Sequence, residues 1–361
     1  MLSMKNNRIL VTGAGGFMGS HLVNYIISKN HKKVYGVDDL SGGFRQNVHP
    51  KSIFTKLDLR DKKKTSKYIS SVKPDIIFHL AADATEGRSQ FTPIECTERN
   101  YGAYLNLLIP AIKNGLIEII LTSSMSVYGS QRPPFSENMR RDPDDIYGIS
   151  KAAMERATEI LASVHGFQYV IIRPHNVYGP RQNLSDPYRN VVAIFVNCLL
   201  NNKNFYIYSD GNQKRAFSYI DDFTPYIYKA AFLKKAEREI FNIGPVEECT
   251  INQLAKIVLK NFFPDGRIPN NLLPEYLPAR PLEVKNAWCT VDKAQKILGY
   301  KTTISIEDGI RKMIEWAKTR GPQKFKYLDS LEIENTKTPK LWKKKLTNKR
   351  FYAQIVVFEK R

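Results

Sequence analysis

The chain has 361 residues, of which 42% are hydrophobic and 25% charged, so it can bury a large core and is neither fibrous nor wholly disordered. Its 55 lysines and arginines outnumber its 35 aspartates and glutamates, and the net charge of +20 raises nucleic acid, an anionic membrane surface or a phosphorylated substrate as a partner. Residues 323–361 hold 11 basic and 4 acidic residues, a net +7, in a C-terminal extension that we expect to be solvated and to which we assign no function.

Short apolar runs alternate with longer helical patterns through the first half of the chain. The predicted elements, beginning with a strand and alternating with helices, lie at 9–12, 17–29, 34–37, 62–70, 76–79, 91–113, 119–121, 144–164 and 169–172. Strand and helix repeated in this way predict an α/β fold with a doubly wound parallel (Rossmann) sheet. Its strands read as continuous apolar runs, as expected of a sheet covered on both faces.

Beyond about residue 180 the pattern loosens. Helices near 189–201, 221–234, 251–260 and 306–319 are separated by short strands, which predicts a smaller α+β cap. We therefore divide the chain into a Rossmann domain (1–180), a substrate-binding cap packed closely on it (181–322) and the basic extension (323–361). A cleft is expected at the carboxyl ends of the strands.

A glycine-rich turn follows the first predicted strand, with the spacing Gly13-x-x-Gly16-x-x-Gly19. Small residues there let the backbone approach a pyrophosphate, whose charge the amides at the helix start would hold. Asp38 ends the second strand, where a carboxylate can bind a ribose diol and would repel a 2′-phosphate, so NAD is favoured over NADP. The alternative for Asp38 is a helix cap or turn former, and Arg45 could receive a phosphate.

A phenol and an ammonium lie four residues apart at the start of the helix predicted over 144–164. Tyr147 is a poor base at its ordinary pKa of about 10, but Lys151 and an oxidised nicotinamide would both stabilise the phenolate. The alternative is an aromatic ring resting on a lysine stem. Ser123 and Ser124 favour the catalytic interpretation, because they follow the strand at 119–121 and bring hydroxyls to the same edge of the sheet.

These elements, in this order, resemble the extended short-chain dehydrogenase/reductases, and among them the NAD-dependent sugar-nucleotide epimerases of the UDP-glucose 4-epimerase type. The resemblance covers about residues 8–320 and includes motifs at 38–41, 58–59, 79–82, 100, 123–129, 147–151 and 173–180. It implies Ser124, Tyr147 and Lys151 as the catalytic residues. Motif and resemblance together place the cofactor against Gly13, Gly16, Phe17, Met18, Gly19, Asp38, Asp39, Leu40, Ser41, Asp58, Leu59, Leu80, Ala81, Ala82, Asn100, Ser123, Tyr147, Lys151 and Pro174.

Departures from related enzymes bear on the reaction. The 4,6-dehydratases carry an Asp-Glu pair where this chain has Met125 and Ser126, and the UDP-glucuronate decarboxylases carry a Glu at the second position. The resemblance therefore favours epimerisation at C4: Tyr147 takes the hydroxyl proton, NAD⁺ takes the hydride, the 4-keto sugar rotates, and the hydride returns to its other face. Other sugar-nucleotide chemistry, or a catalytically idle NAD- or RNA-binding scaffold, remains an alternative.

The resemblance also implies substrate contacts in the second half of the chain. Arg215 and Arg280 match residues that clamp the substrate diphosphate, and Asn176 matches a substrate-contacting position, beside Ser124 and Tyr147. Ala287, seven residues after Arg280, would lie beside the 2-substituent of the sugar and leave room for an N-acetyl group. His79 and His175 are expected to be core imidazoles.

The expected partners are a nucleotide sugar, with a UDP-hexose favoured, and a second copy of the chain. In this family the helices at 91–113 and 144–164 pair across a homodimer. Four cysteines without Cys-x-x-Cys spacing suit reduced thiols, and no apolar run is long enough to cross a bilayer. We therefore expect a cytoplasmic enzyme without a metal site or membrane contact, and nucleic acid is disfavoured as a partner.

Overall fold

The computed structural model describes residues 7–342. Within this range the strands are β1 (Ile9–Thr12), β2 (Val34–Asp38), β3 (Ile53–Lys56), β4 (Ile76–His79), β5 (Glu118–Thr122), β6 (Gln168–Pro174), β7 (Val177–Tyr178), β8 (Tyr206–Tyr208), β9 (Lys214–Arg215), β10 (Ser218–Tyr219), β11 (Glu239–Ile243), β12 (Cys249–Thr250), β13 (Glu275–Leu277) and β14 (Asn286–Ala287). The helices are α1 (Phe17–Ser28), α2 (Lys62–Val72), α3 (Glu86–Ser89), α4 (Pro93–Thr97), α5 (Ala103–Lys113), α6 (Ile146–His165), α7 (Val191–Leu200), α8 (Thr224–Ala230), α9 (Ile251–Phe262), α10 (Asp292–Leu298) and α11 (Ile306–Arg320).

Seven parallel strands form the central sheet, in the order β3-β2-β1-β4-β5-β6-β11. Every residue of β1, β4 and β5 is buried, because helices cover both faces. The strand order reverses between β1 and β4, so their carboxyl ends open the crevice in which such sheets bind ligands. The predicted doubly wound Rossmann sheet is confirmed.

Alternate residues of β1 face opposite layers. Leu10 packs with α2, α5 and α6 on one face of the sheet. Ile9 and Val11 belong to a second apolar cluster, which runs from α1 through α7, α9 and α11. The sheet and the second half of the chain therefore share one continuous core.

Strand β11 departs from the expected division of the chain. It lies within 181–322, the range assigned to the cap, yet it pairs with β6 and completes the central sheet. The chain thus crosses into the cap and returns to the sheet before α9. The boundaries at 180 and 322 stay a prediction.

The helix predicted over 91–113 is divided. Between α4 and α5 the residues Glu98–Gly102 form a π-helical turn, which admits one extra residue per turn and turns Asn100 inward. The Asn100 amide donates hydrogen bonds to the carbonyl oxygens of Asp83 and Cys96, at 3.1 and 2.8 Å. This turn therefore ties the helix to the loop that follows β4.

The described part of the extension packs on the body instead of being solvated along its length. Leu331 and Trp342 are buried in a cluster with Phe91 and Tyr188. The backbone amides of Ile94 and Glu95 at the start of α4 both donate 2.8 Å hydrogen bonds to Glu332. Residues 343–361, with most of the basic residues of the extension, lie outside the described residues. No helix within 7–342 is both long and apolar enough to cross a membrane.

Candidate active site

The turn between β1 and α1 is shaped by close backbone contacts. Gly13 has a φ of +71°, and a Cβ on Gly19 would lie 2.0 Å from the Gly13 carbonyl oxygen. Helix α1 starts at Phe17 with no side-chain cap and no acidic residue in its first turn. Its first amides are therefore available to an anion, which fits the pyrophosphate of a dinucleotide.

Asp38 closes this turn from the end of β2. Its carboxylate accepts hydrogen bonds from the backbone amides of Gly15 (2.9 Å) and Leu40 (2.7 Å). Burial raises the pKa of Asp38, and these two hydrogen bonds oppose the rise. Asp38 thus acts as a turn former while it also lines the cleft. The Arg45 guanidinium stacks 4.8 Å from the ring centroid of Phe54.

A network of ion pairs surrounds the residues predicted for the adenosine end. Arg60 binds Asp58 at 2.7 Å and Glu95 at 2.9 Å, and Arg99 binds Asp39 at 2.9 Å. The hydrogen bond from Arg60 lowers the pKa of Asp58. Sequence reasoning missed Arg60, Glu95 and Arg99, because no motif links the loop after β3 with α4 and the π-helical turn.

The predicted catalytic residues meet at the carboxyl end of β5. Lys151 is 1% exposed, donates a 2.8 Å hydrogen bond to the Thr122 carbonyl oxygen, and lies with Nζ 5.7 Å from the ring centroid of Tyr147. Burial lowers the pKa of Lys151 to about 8. Asp145 caps α6 by accepting a 2.7 Å hydrogen bond from the Gly148 amide, which fixes the turn that carries Tyr147.

The Tyr147 phenol is buried, and burial raises its pKa well above the usual range. The charge of Glu86 adds to the rise, and the neighbouring Ser124 hydroxyl opposes it. The protein alone therefore keeps this phenol protonated. Further positive charge at this end of the cleft is needed before Tyr147 can act as a base.

Glu86 is a site residue that sequence reasoning missed. Ser126 Oγ donates a 2.5 Å hydrogen bond to Glu86 Oε1 and lies 2.8 Å from Ser124 Oγ. Burial, followed by the charge of Glu86, raises the pKa of Asp145 to about 7. The Glu86 carboxylate belongs to α3 and not to the segment around Ser124. The motif around Ser124 therefore gave no indication of it.

Ser123 faces a buried ion-pair network behind the site. Its hydroxyl donates a 2.5 Å hydrogen bond to Glu155, which also binds Arg173 at 2.6 Å and Arg141 at 2.5 Å. Burial acts to raise the pKa of Glu155, but the arginines outweigh it and lower the pKa. The network fixes α6 against β6, and thereby the position of Lys151.

The two predicted diphosphate residues lie in the wall of the same cleft. Arg215 donates a 2.8 Å hydrogen bond to the Lys214 carbonyl oxygen and bonds two further carbonyl oxygens. Arg280 binds Glu283 at 2.8 Å and lies 4.7 Å from the ring centroid of Tyr208. Both guanidinium groups are thus held in place while facing the cleft.

Most predicted site residues share one continuous cleft of about 2330 Å³, which exceeds the roughly 300–1,000 Å³ of a pocket for one small ligand. The cleft therefore has room for both a dinucleotide and a nucleotide sugar. The predicted residues in its wall are Gly13, Gly16, Phe17, Met18, Gly19, Asp38, Asp39, Ser41, Asp58, Leu59, Leu80, Ala81, Ala82, Ser123, Ser124, Tyr147, Lys151, Pro174, Asn176, Arg215 and Arg280.

Three predicted site residues lie away from the wall formed by residues 7–342: Leu40, Asn100 and Ala287. Leu40 packs behind Gly15, and Asn100 is buried in the π-helical turn. Ala287 pairs with Arg215 through β14 and β9, and its methyl group is buried in a cluster with Met125. Ala287 thus does not line the cleft formed by the described residues, and its expected place beside the sugar, with room for an N-acetyl group, stays a prediction.

The two histidines are buried, as expected of core imidazoles. His79 Nδ1 lies 3.0 Å from Thr12 Oγ1, which also accepts hydrogen bonds from the amides of Leu80 and Ala81. Burial lowers the pKa of His79 to about 3 and that of His175 to about 4. Both imidazoles are therefore neutral at physiological pH.

The parallel sheet and its glycine turn define a dinucleotide-binding fold, and Ser124, Tyr147 and Lys151 lie in the wall of the same cleft. Residues 9–244 match the NAD dependent epimerase/dehydratase family, and the chain belongs to this family. NAD is therefore its cofactor, and the glycine turn, where a Cβ would collide with backbone, fits that cofactor.

Relatives of this chain act on different nucleotide sugars. The UDP-glucose 4-epimerase of Mycolicibacterium smegmatis is 31% identical over 322 residues, which are 87% of this chain and 99% of the relative. The UDP-glucuronate 4-epimerase of Thermodesulfobacterium geofontis is 30% identical over 323 residues, 86% of this chain and 95% of the relative. The crystal structure of a UDP-glucose 4-epimerase with UDP-glucose from Thermotoga maritima is similar with a TM-score of 0.79 and 33% identity, covering 86% of this chain and 99% of that one.

Proposed function

We propose that this enzyme epimerises a nucleotide sugar at C4, with UDP-glucose and UDP-galactose as the favoured pair, through a transient 4-keto sugar. The proposal rests above all on one observation: Lys151 and Tyr147, both buried, face each other beside Ser124 in the cleft that the NAD site shares. Similarity to 4-epimerases supports the reaction type, while the relatives that act on uronates keep other sugars open. Acceptance of UDP-N-acetylhexosamines as substrates remains a further prediction.

The proposed roles follow from the placement of three side chains. When bound, NAD⁺ would supply a hydride acceptor and a positive charge. Tyr147 takes the proton of the C4 hydroxyl and later returns it, and Ser124 holds the same oxygen by a hydrogen bond. Lys151, anchored on the Thr122 carbonyl oxygen, stabilises the phenolate by its charge.

Arg215 and Arg280 are proposed to bind the substrate diphosphate, and Asn176 to contact the substrate. All three lie in the cleft wall, and the two guanidinium groups carry the positive charge that a diphosphate needs. Asn176 is oriented by a 2.9 Å hydrogen bond from its amide to the Ala216 carbonyl oxygen.

A homodimer is proposed on the basis of exposed apolar side chains on the two helices expected to pair. On α6, Ile149, Ile160 and Val164 are exposed and fall on one helix face, because they are 11 and 4 residues apart. Ile94 on α4 and Ile109 on α5 are exposed as well. A second copy would cover this surface. Sedimentation at micromolar concentration tests this, and a monomer would contradict it.

A cytoplasmic location and the absence of a nucleic acid partner are also part of the proposal. The charge that raised nucleic acid is here assigned in part to phosphate binding, through Arg215 and Arg280 in the cleft. Fractionation of cells and a gel-shift assay with RNA and DNA at physiological salt would test the two points.

The reaction is tested by incubating the purified enzyme with UDP-, GDP- and dTDP-sugars and identifying the products by NMR. We expect UDP-glucose and UDP-galactose to interconvert without added cofactor, because hydride leaves and returns within one site. Conversion of none of the sugars, or a product that is not a C4 epimer, would refute the proposal.

A further inference from the structure

A carboxylate stands at the catalytic end of the cleft. Glu86 is the first residue of α3, and its side chain is exposed to the cleft. Its hydrogen bond from Ser126 links it to Ser124 through a single bridging hydroxyl. Glu86 therefore lies next to the two groups proposed to hold the reacting C4 hydroxyl.

The backbone of α3 around Glu86 is held by side chains from three parts of the molecule. Asp83 and Arg88, both largely buried, form a 2.5 Å ion pair that brackets the first turn of α3. The Arg88 guanidinium lies 4.9 Å from the ring centroid of Tyr188 in the cap. Trp342 of the extension packs so closely on Gly87 that a Cβ there would lie 3.4 Å from its ring. The backbone that carries Glu86 is therefore fixed, and its exposed carboxylate is oriented by the hydrogen bond from Ser126.

The cations near Glu86 have other partners. Arg88 is paired with Asp83, and Arg189 binds Asp186 at 3.0 Å. Arg280 is bound to Glu283, and the guanidinium of Arg215 is bound to backbone carbonyl oxygens. No cation among residues 7–342 forms an ion pair with Glu86. Among the described residues its carboxylate is therefore not directly paired, although Arg215, whose carbonyl partners are neutral, and Arg280 attract it through space. Both guanidinium groups are proposed to bind the substrate diphosphate, which leaves Glu86 facing the sugar without a direct counter-ion from this part of the chain.

We propose that Glu86 makes this enzyme selective for sugars whose C6 carries no charge and excludes hexuronates; this inference rests on the proposed C4 epimerisation. The hydride can reach both faces of C4 only if the 4-keto ring makes a half-turn in the cleft. After this turn, the side of the ring that carries C5 occupies the place that the C3 side held before. The C6 substituent therefore faces Glu86 in one of the two orientations. A C6 carboxylate would meet a like charge there, and at close range such repulsion near a protein surface changes affinity by about tenfold or more.

The test compares UDP-glucose with UDP-glucuronate on the NAD-loaded enzyme and on two variants. Glu86→Gln keeps the size and the hydrogen bond to Ser126 but removes the charge. Glu315→Gln is the matched control, because it removes one charge from the exposed face of α11, away from the cleft. Both kcat/KM and the dissociation constant from calorimetry are measured for each sugar.

We expect the wild type to favour UDP-glucose over UDP-glucuronate by at least about tenfold in kcat/KM. Glu86→Gln should reduce this ratio about tenfold, while Glu315→Gln leaves it unchanged. An unchanged ratio in Glu86→Gln, or a wild type that accepts the uronate equally well, overturns the inference. If neither sugar is converted, the proposed reaction fails, and the dissociation constants of the two sugars then decide on Glu86 independently.

Discussion

The two ends of the cleft are built by different means. At the nucleotide end, the shape comes from backbone: Gly13 and Gly19 approach within van der Waals contact, and Asp38 is bonded to backbone amides. At the end proposed to hold the sugar, side chains converge from separate segments, with Glu86 from α3, Tyr188 from the cap and Trp342 from the extension. A substitution at the sugar end can therefore change the substrate while the cofactor site is preserved, which is how one scaffold supports several activities.

The largest expected effect lies where the two ends meet. Tyr147→Phe keeps the ring and removes the proposed base, so we expect turnover to fall by about 10²- to 10⁴-fold with the fold and bound NAD retained. The measurement is kcat with UDP-galactose, alongside the nucleotide released from the denatured enzyme. Turnover near that of the wild type in a folded, NAD-loaded variant would remove Tyr147 from the mechanism.

A substitution at the nucleotide end should abolish cofactor binding. The added Cβ of Gly19→Ala would lie 2.0 Å from the Gly13 carbonyl oxygen, so the glycine turn must open. We expect the NAD content of the purified protein to fall at least about tenfold, because the helix amides are displaced from the pyrophosphate.

The matched control for the glycine turn is Gly102→Ala. That Cβ would meet only the Thr97 carbonyl oxygen, at 3.8 Å, an ordinary contact. Its NAD content should equal that of the wild type. A Gly19→Ala protein that still carries a full complement of NAD would show that the turn does not shape the cofactor site.

The two ends of the cleft also differ in how well the sequence predicts them. The glycine turn and the Tyr147–Lys151 pair were found because each is fixed by spacing within a few residues. Glu86 and Trp342 escaped detection, since their approach depends on how three distant segments pack. The same holds for β11, whose pairing with β6 completes the sheet from within the expected cap.

The π-helical turn and the position of Ala287 could not be predicted either, because each depends on a local change in the path of the backbone. The π-helical turn at 98–102 inserts one residue into a pattern that otherwise reads as a continuous helix. Ala287 was placed by counting forward from Arg280, but the pairing of β14 with β9 turns its side chain into the cluster around Met125. The role predicted for Ala287 beside the sugar therefore stays a prediction, and the position of its side chain could not be derived from its distance along the chain from Arg280.

At the sugar end, Trp342→Ala tests whether the extension helps to position the loop of Glu86. Trp342 is 4% exposed and packs against Gly87, Phe91 and Tyr188. We expect KM for the nucleotide sugar to rise about 3- to 10-fold, as loss of a buried contact of 1 kcal/mol or more would cause, with NAD content unchanged. Ile333→Ala, an exposed position of the same segment, is the control. Equal KM values in the two variants would show that the extension does not act on the site.

The smallest effect on activity is expected at the edge of the sheet opposite the cleft, where Glu118 begins β5. Burial, followed by the charge of Glu237, raises the pKa of Glu118 to about 8, and Lys234 opposes the rise. The folded protein therefore binds more protons than the unfolded chain between pH 4.5 and 8, so this residue lowers stability as the pH rises through that window. Glu118→Gln should be more stable than the wild type at pH 8, by about 1–3 kcal/mol, and close to it at pH 4.5, with unchanged turnover.

Thermal unfolding at both pH values checks this, with Glu315→Gln as the exposed control. A gain of equal size at both pH values would mean that the buried charge is not its cause, and a loss of turnover would mean that the two edges of the sheet are coupled.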